Sequence, residues 1–112
     1  MRVLEGQQVL MRIFVGEADR YEHQPLYRAL VEMLRRHKIA GATVLRGTLG
    51  FGAESHMHTA QLLRLSQDLP VVIEVVDSQE HIDSIMPEID KMVGDGLITL
   101  EKVHVVRYAA KS

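Results

Sequence analysis

Backbone amides are the first chemistry this chain offers. Arg46-Gly47-Thr48-Leu49-Gly50-Phe51-Gly52 places three of the eight glycines within seven residues, and Gly94-Asp95-Gly96 adds a second glycine turn near the C-terminus. Glycine admits positive φ and the close approach of another group, so the first cluster predicts an unusual backbone shape. Two such turns on a small scaffold can present successive N–H groups to an anion. Each also has a plainer reading, a β-bulge and turn for the first and a helix stop for the second.

His56 and His58 would share one face of an extended segment. Such a pair binds a transition metal when a third ligand joins it, and Glu54 or His104 could serve. Solvated surface histidines with no metal are the commoner case, and the residues leave both readings open. Glu74 is the one charge inside the most apolar run of the chain. It reads as a functional carboxylate or, more often in such a place, as the partner of a base such as Arg12. His23, His37 and His81 flank helices and are expected to be solvated. Met33, Met86 and Met92 fall at helical spacing and read as core.

Catalytic chemistry finds no support. The chain has no cysteine, no Gly-x-Ser-x-Gly elbow and no Walker loop. An arginine-bearing phosphate loop of the acylphosphatase kind is not visible near Val15 to Arg20, and the aromatics that an RNA-recognition module needs on its central strands reduce to Phe14. The reading is a non-enzymatic protein.

The elements that must position these residues fit one domain spanning residues 1–112. A hydrophobic fraction of 46% and a charged fraction of 25% are those of a soluble globular chain. A net charge of −2, with no Trp and no basic stripe, argues against nucleic acid as a partner. The lack of cysteine fits a reducing compartment. No signal-like run opens the chain and no apolar segment approaches the ~18 residues of a membrane span, so the expectation is a cytoplasmic protein without membrane insertion.

Alternation predicts a strand over Val9 to Val15, with Met11, Ile13 and Val15 on one face and Leu10, Arg12 and Phe14 on the other. A helix follows from about Pro25 to Lys38, with the stripe Leu26, Ala29, Leu30, Met33 and Leu34, stopped by Gly41. A second strand runs from Thr43 to about Leu49 into the glycine cluster. Val71 to Val76 is a nearly continuous apolar run, the mark of a central strand covered on both faces. Asp77 and Glu80 form a capping box for a second helix lined by Ile82, Ile85, Met86, Ile89 and Val93, with a kink or break expected at Pro87. A last strand covers about Leu97 to Tyr108, followed by a small polar tail.

This order predicts an α+β, ferredoxin-like split βαβ (βαββαβ) sandwich with a four-stranded antiparallel sheet, the first and third strands central. Two helices cover only one face of such a sheet. Leu10, Phe14, Val72 and Val76 are then left on the other, and an apolar face of that size predicts a homo-oligomer packed sheet to sheet.

Gly41-Ala42-Thr43-Val44, Gly50-Phe51-Gly52, His58-Thr59, Val72-Ile73-Glu74-Val75-Val76 and Gly94-Asp95-Gly96 recur in this order in the PII signal-transduction proteins. The chain is more similar still to a PII-like family of small uncharacterised bacterial proteins. That family is marked by the arginine-glycine run into the glycine cluster and by Gly96-Leu97-Ile98-Thr99-Leu100-Glu101-Lys102-Val103. The resemblance covers about Val9 to Tyr108. It implies a homotrimer with lateral clefts that bind adenine nucleotides, and a loop after the second strand that contacts a regulated partner, such as a membrane transport protein. By position, Thr43 and Val44 would lie beside the nucleotide base. Gly50, Phe51 and Gly52 would form the loop's base, and Gly94, Asp95 and Gly96 would cradle phosphates. Arg107, with Lys111, could approach a phosphate. The loop would be Ala53 to Asp68, with Ala53, Glu54, Ser55, His56, Met57 and His58 in its first part. Where PII proteins carry arginine, glutamine and lysine for nucleotide, magnesium and 2-oxoglutarate, this chain has Ala53, Glu54 and Ser55, and Leu97 replaces the phosphate-side lysine. The resemblance therefore implies a less charged ligand, AMP or a cyclic nucleotide, or none, rather than ATP with 2-oxoglutarate.

Overall fold

The computed structural model describes residues 2–52, 58–59 and 68–111. Four strands form the main sheet: β2 (Gly6–Gly16), β5 (Thr43–Arg46), β8 (Pro70–Asp77) and β9 (Leu97–Val105), in the order β5-β8-β2-β9 and antiparallel throughout. The helices are α1 (Leu26–Arg36) and α2 (Gln79–Met92). Six two-residue strands complete the description: β1 (Arg2–Val3) paired with β10 (Ala109–Ala110), β3 (Arg20–Tyr21) with β4 (Gln24–Pro25), and β6 (Leu49–Gly50) with β7 (His58–Thr59). This is the α+β ferredoxin-like arrangement that the element order predicts, with the first and third long strands in the middle.

Period-two alternation fixes which side chains meet the helices. Val9, Met11, Ile13 and Val15 of β2 and Val71, Ile73 and Val75 of β8 are buried against Leu26, Ala29, Leu30, Met33 and Leu34 of α1 and Ile82, Ile85, Ile89 and Met92 of α2. The register places Leu10 opposite Val76, Arg12 opposite Glu74 and Phe14 opposite Val72 on the other face. There Val72 and Val76 are only half-buried, so β8 is a central strand covered on one face within one chain.

Several local expectations are corrected. Gly41 does not stop α1. The left-handed position is taken by Lys38 (φ 59), where Lys38 N–H donates to the Arg35 carbonyl at 3.0 Å and Ile39 N–H to that of Leu34 at 3.1 Å, a Schellman closure. Pro25 precedes the helix as its N-cap instead of opening its first turn. Asp77 and Glu80 form no capping box. The alternation of β8 turns Asp77 inward, and Ser78 caps α2 by accepting the His81 N–H at 3.1 Å. Pro87 does not split α2, which runs unbroken from Gln79 to Met92. Pro87 and Asp83, whose carbonyl loses its donor, lie on the exposed side, where water replaces the bond. The last strand ends at Val105, and part of the polar tail, Ala109–Ala110, forms a ladder with the N-terminal residues.

Candidate functional site

Gly47 and Gly50 of the first cluster answer to packing rather than to φ. Among the described residues only Gly6 is a glycine of positive φ. A methyl group on Gly47 would stand 3.3 Å from Pro70 Cβ, and one on Gly50 2.8 Å from Pro70 Cγ, so at both positions the bare backbone packs closely on Pro70. The chain then reaches Phe51, exposed with Leu49, and Gly52, around which space is open. At the second turn, a methyl group on Gly96 would stand 2.9 Å from the Phe14 carbonyl oxygen, whereas Gly94 has open space on its Cβ side. Gly94, Asp95 and Gly96 are exposed. The N–H groups of Gly94 and Asp95, at the end of α2, meet no backbone carbonyl among the described residues.

The register locates these groups relative to one another. Arg46 pairs with Val71 and Leu97 with Phe14, so both glycine turns lie at the Pro70 end of the sheet. They lie on opposite edges, the first beyond β5 and the second before β9. Thr43 and Val44 are exposed on the β5 edge, Thr43 on the open face and Val44 on the helix side. Arg107 is exposed beyond the far end of β9. With neighbouring strands ~4.8 Å apart, the two edges of this sheet are separated by about 14 Å. One chain therefore does not bring the expected ligand residues together. The groove between the β3–β4 hairpin and the helices, lined by Tyr21, Glu22, Glu32, Arg36, Glu88 and Lys91, contains none of them.

The open face carries two cross-strand rows. Leu45, Val72, Phe14 and Leu97 form an apolar one, with Leu45 and Leu97 about half exposed (48% and 55%). The next row is Thr43, Glu74, Arg12 and Thr99. Glu74 is a structural partner: Arg12 Nε donates to its Oε2 at 2.9 Å and Arg12 Nη1 to Glu101 Oε1 at 2.7 Å. These bonds, Glu74 first, hold the guanidinium above its ordinary range.

The loop residues Ala53, Glu54, Ser55, His56 and Met57 lie outside the described residues. His58 is described as backbone in β7, at the Pro70 end, while His104 pairs with Gln7 near the other end of β9. Among the described residues no three potential metal ligands stand together. His81 is not a solvated side chain as its position suggests: its Nε2 lies 2.7 Å from the His37 carbonyl oxygen and its Nδ1 3.1 Å from Asp77 Oδ2. The small β1–β10 ladder escapes sequence reading because two-residue strands carry no period.

The fold is that of the PII-like proteins. It is similar to CPII, a nitrogen regulatory PII-like protein from Thiomonas intermedia solved bound to ADP, AMP and bicarbonate, at a TM-score of 0.63 and 14% identity, covering 94% of this chain and 99% of that one. It is also similar to a protein from Thermus thermophilus described as a PII-like signalling protein, at a TM-score of 0.67 and 18% identity, covering 95% of this chain and 94% of that one. The chain belongs to the DUF190 family, described as Uncharacterized ACR, whose model matches residues 8–105. Its relatives include a UPF0166 protein of Aquifex aeolicus, 39% identical over 95% of this chain and 98% of that protein. A UPF0166 protein of Methanocaldococcus jannaschii is 33% identical over 88% of this chain and 91% of that protein.

Proposed function

We propose that the chain is a non-enzymatic regulatory protein that works as a homotrimer and takes an adenine nucleotide in clefts between its copies. The observation that carries this reading is the division of the candidate ligand residues between opposite edges of one sheet. Thr43, Val44, Gly50, Phe51 and Gly52 lie along or beyond β5, and Gly94, Asp95 and Gly96 lie before β9. Each edge is half a site, and a second copy packed through the apolar row supplies the other half. The N–H groups of Gly94 and Asp95, without a backbone partner among the described residues, suit a phosphate oxygen. Leu97 beside them adds no positive charge, so a monophosphate such as AMP, or a cyclic nucleotide, fits better than a triphosphate. CPII, of the same fold, binds ADP and AMP.

The ligand acts by shifting a population. It biases the segment after β6, residues 53–68, only to the extent that it binds one state of that segment more tightly than another. The regulated partner contacts that segment, and a membrane transport protein is the class the PII resemblance implies. In the described residues no helix is long and apolar enough to cross a membrane.

Thermal melting of the purified protein against AMP, ADP, ATP, cyclic nucleotides, Zn²⁺ and Cu²⁺ tests the reading, because any ligand of the native state raises the midpoint by mass action. A rise with AMP or a cyclic nucleotide supports it. A rise with metals alone replaces it with a histidine site at His56 and His58. No rise at all leaves an oligomer without a small ligand.

A further inference from the structure

Asp77 is fully buried, and it is the buried charge of the described core. An uncompensated carboxylate there would cost several kcal/mol, and the structure compensates it with groups drawn from separate parts of the chain. Arg2 Nη2 and the Ser78 N–H (2.7 Å) donate to Oδ1, and the Ala40 N–H donates to Oδ2 at 2.9 Å. His81 Nδ1 stands 3.1 Å from Oδ2. Arg2 also donates through Nη1 to the Lys38 carbonyl at 2.8 Å, and the Tyr108 hydroxyl donates to the Ala40 carbonyl at 2.6 Å. Leu4 N–H donates to the Tyr108 carbonyl at 3.2 Å beside the β1–β10 ladder. A two-residue ladder is too short to hold itself together in water. Its order derives from what its strands are fastened to: Arg2 on Asp77 and the Lys38 carbonyl, Tyr108 on the Ala40 carbonyl, and the buried Leu4.

Two segments thus meet on one carboxylate, the N-terminal strand through Arg2 and the turn 37–42 through Ala40, and the C-terminal segment 106–110 is tied to both of them through Tyr108. The turn runs directly into Thr43 and Val44, and the C-terminal segment carries Arg107. We infer that Asp77 and Arg2 form a clasp that sets the geometry of the ligand edge, and that they are positioning residues for the ligand without touching it. The ligand half of this inference rests on the proposed nucleotide reading; the clasp itself does not.

Arg2→Met removes the guanidinium and keeps the apolar stem; Arg2→Lys restores charge without the two-armed geometry. Amide hydrogen exchange on the full-length protein reads the clasp directly. In Arg2→Met, protection of residues 2–4, 38–43 and 108–110 falls together by about tenfold or more beyond any loss at Met11, Ile13 and Ile73, as expected for one local opening unit. Arg2→Lys recovers part of the loss. Unchanged protection in the three segments, loss in one of them alone, or a uniform loss across the sheet overturns the clasp. Calorimetric titration with AMP reads the second half. If the wild type binds AMP, Arg2→Met weakens it about fivefold or more, the lower end of ordinary coupling between sites; equal affinity overturns the positioning role. If the wild type binds no AMP, the nucleotide reading fails and the positioning role fails with it, while the exchange experiment still decides the clasp.

Discussion

Leu45 and Leu97, on the two outer strands of the sheet, lie in one register row, joined across the open face through Val72 and Phe14. An apolar row that spans a sheet from edge to edge and ends in half-exposed leucines is a surface suited to another sheet. The adjoining row, with Arg12 held between Glu74 and Glu101, gives that surface a polar border that fixes orientation more than it adds affinity.

Phe14→Glu places a carboxylate in the middle of the apolar row, where Arg12, the base of the adjoining row, is already paired with Glu74 and Glu101. A carboxylate buried without a partner costs several kcal/mol, so the oligomer is expected to dissociate while the far-ultraviolet circular dichroism of the chain is kept. Sedimentation velocity of the variant beside the wild type checks this; an unchanged mass would show that the open face is not the interface.

The two glycines of the second turn are expected to respond differently to substitution. At Gly96 a side chain meets the backbone carbonyl of Phe14 at 2.9 Å, which cannot rotate away. Gly96→Val is therefore expected to destabilise the fold by ~1–3 kcal/mol, as overpacking does. Gly94 faces open space, so Gly94→Val is expected to keep the melting temperature of the wild type and to weaken nucleotide binding by crowding the Gly94 and Asp95 N–H groups. Thermal melting followed by titration with AMP separates the two.

Much of this architecture was legible in the residues. The alternation of Val9 to Val15 and the 3.6-residue stripes from Leu26 and Ile82 are long enough for burial to dominate, and each element formed where its pattern placed it. What was not legible depends on contacts distant in the chain. Asp77 looks like a helix cap until the parity of β8 turns it inward toward Arg2. The glycines at 47 and 50 look like conformational devices until Pro70, twenty or more residues later, is packed against them. The candidate ligand residues are visible as types and spacing, but their split between two edges appears only once the strand order is known. The histidines of the loop fall on or beside residues outside the described set, and their role was not readable from the fold.

Lys38 holds the left-handed position that ends α1, with φ 59. A non-glycine residue there carries about 1 kcal/mol of backbone strain. Lys38→Gly is expected to raise stability by up to that amount, less the larger entropy that glycine brings to the unfolded chain. Urea denaturation with an unchanged m value checks it; a loss of stability would mean that the lysine side chain contributes more than the strain removes.

Ser78 accepts the His81 N–H and is the cap of α2. Ser78→Ala is expected to lower stability by about 1 kcal/mol, and Ser78→Asp to recover most of it. The same denaturation experiment reads both, and an alanine variant as stable as the wild type would show that Asp77, next to it, satisfies the helix end by itself.

The central claim is that copies of this chain build nucleotide sites between them. Native mass spectrometry of the purified protein, with and without AMP, reads assembly and occupancy in one spectrum. The account predicts a trimer that takes up one AMP for each cleft and a Phe14→Glu monomer that takes up none. A wild-type monomer, or a monomeric variant that still binds AMP, would contradict it.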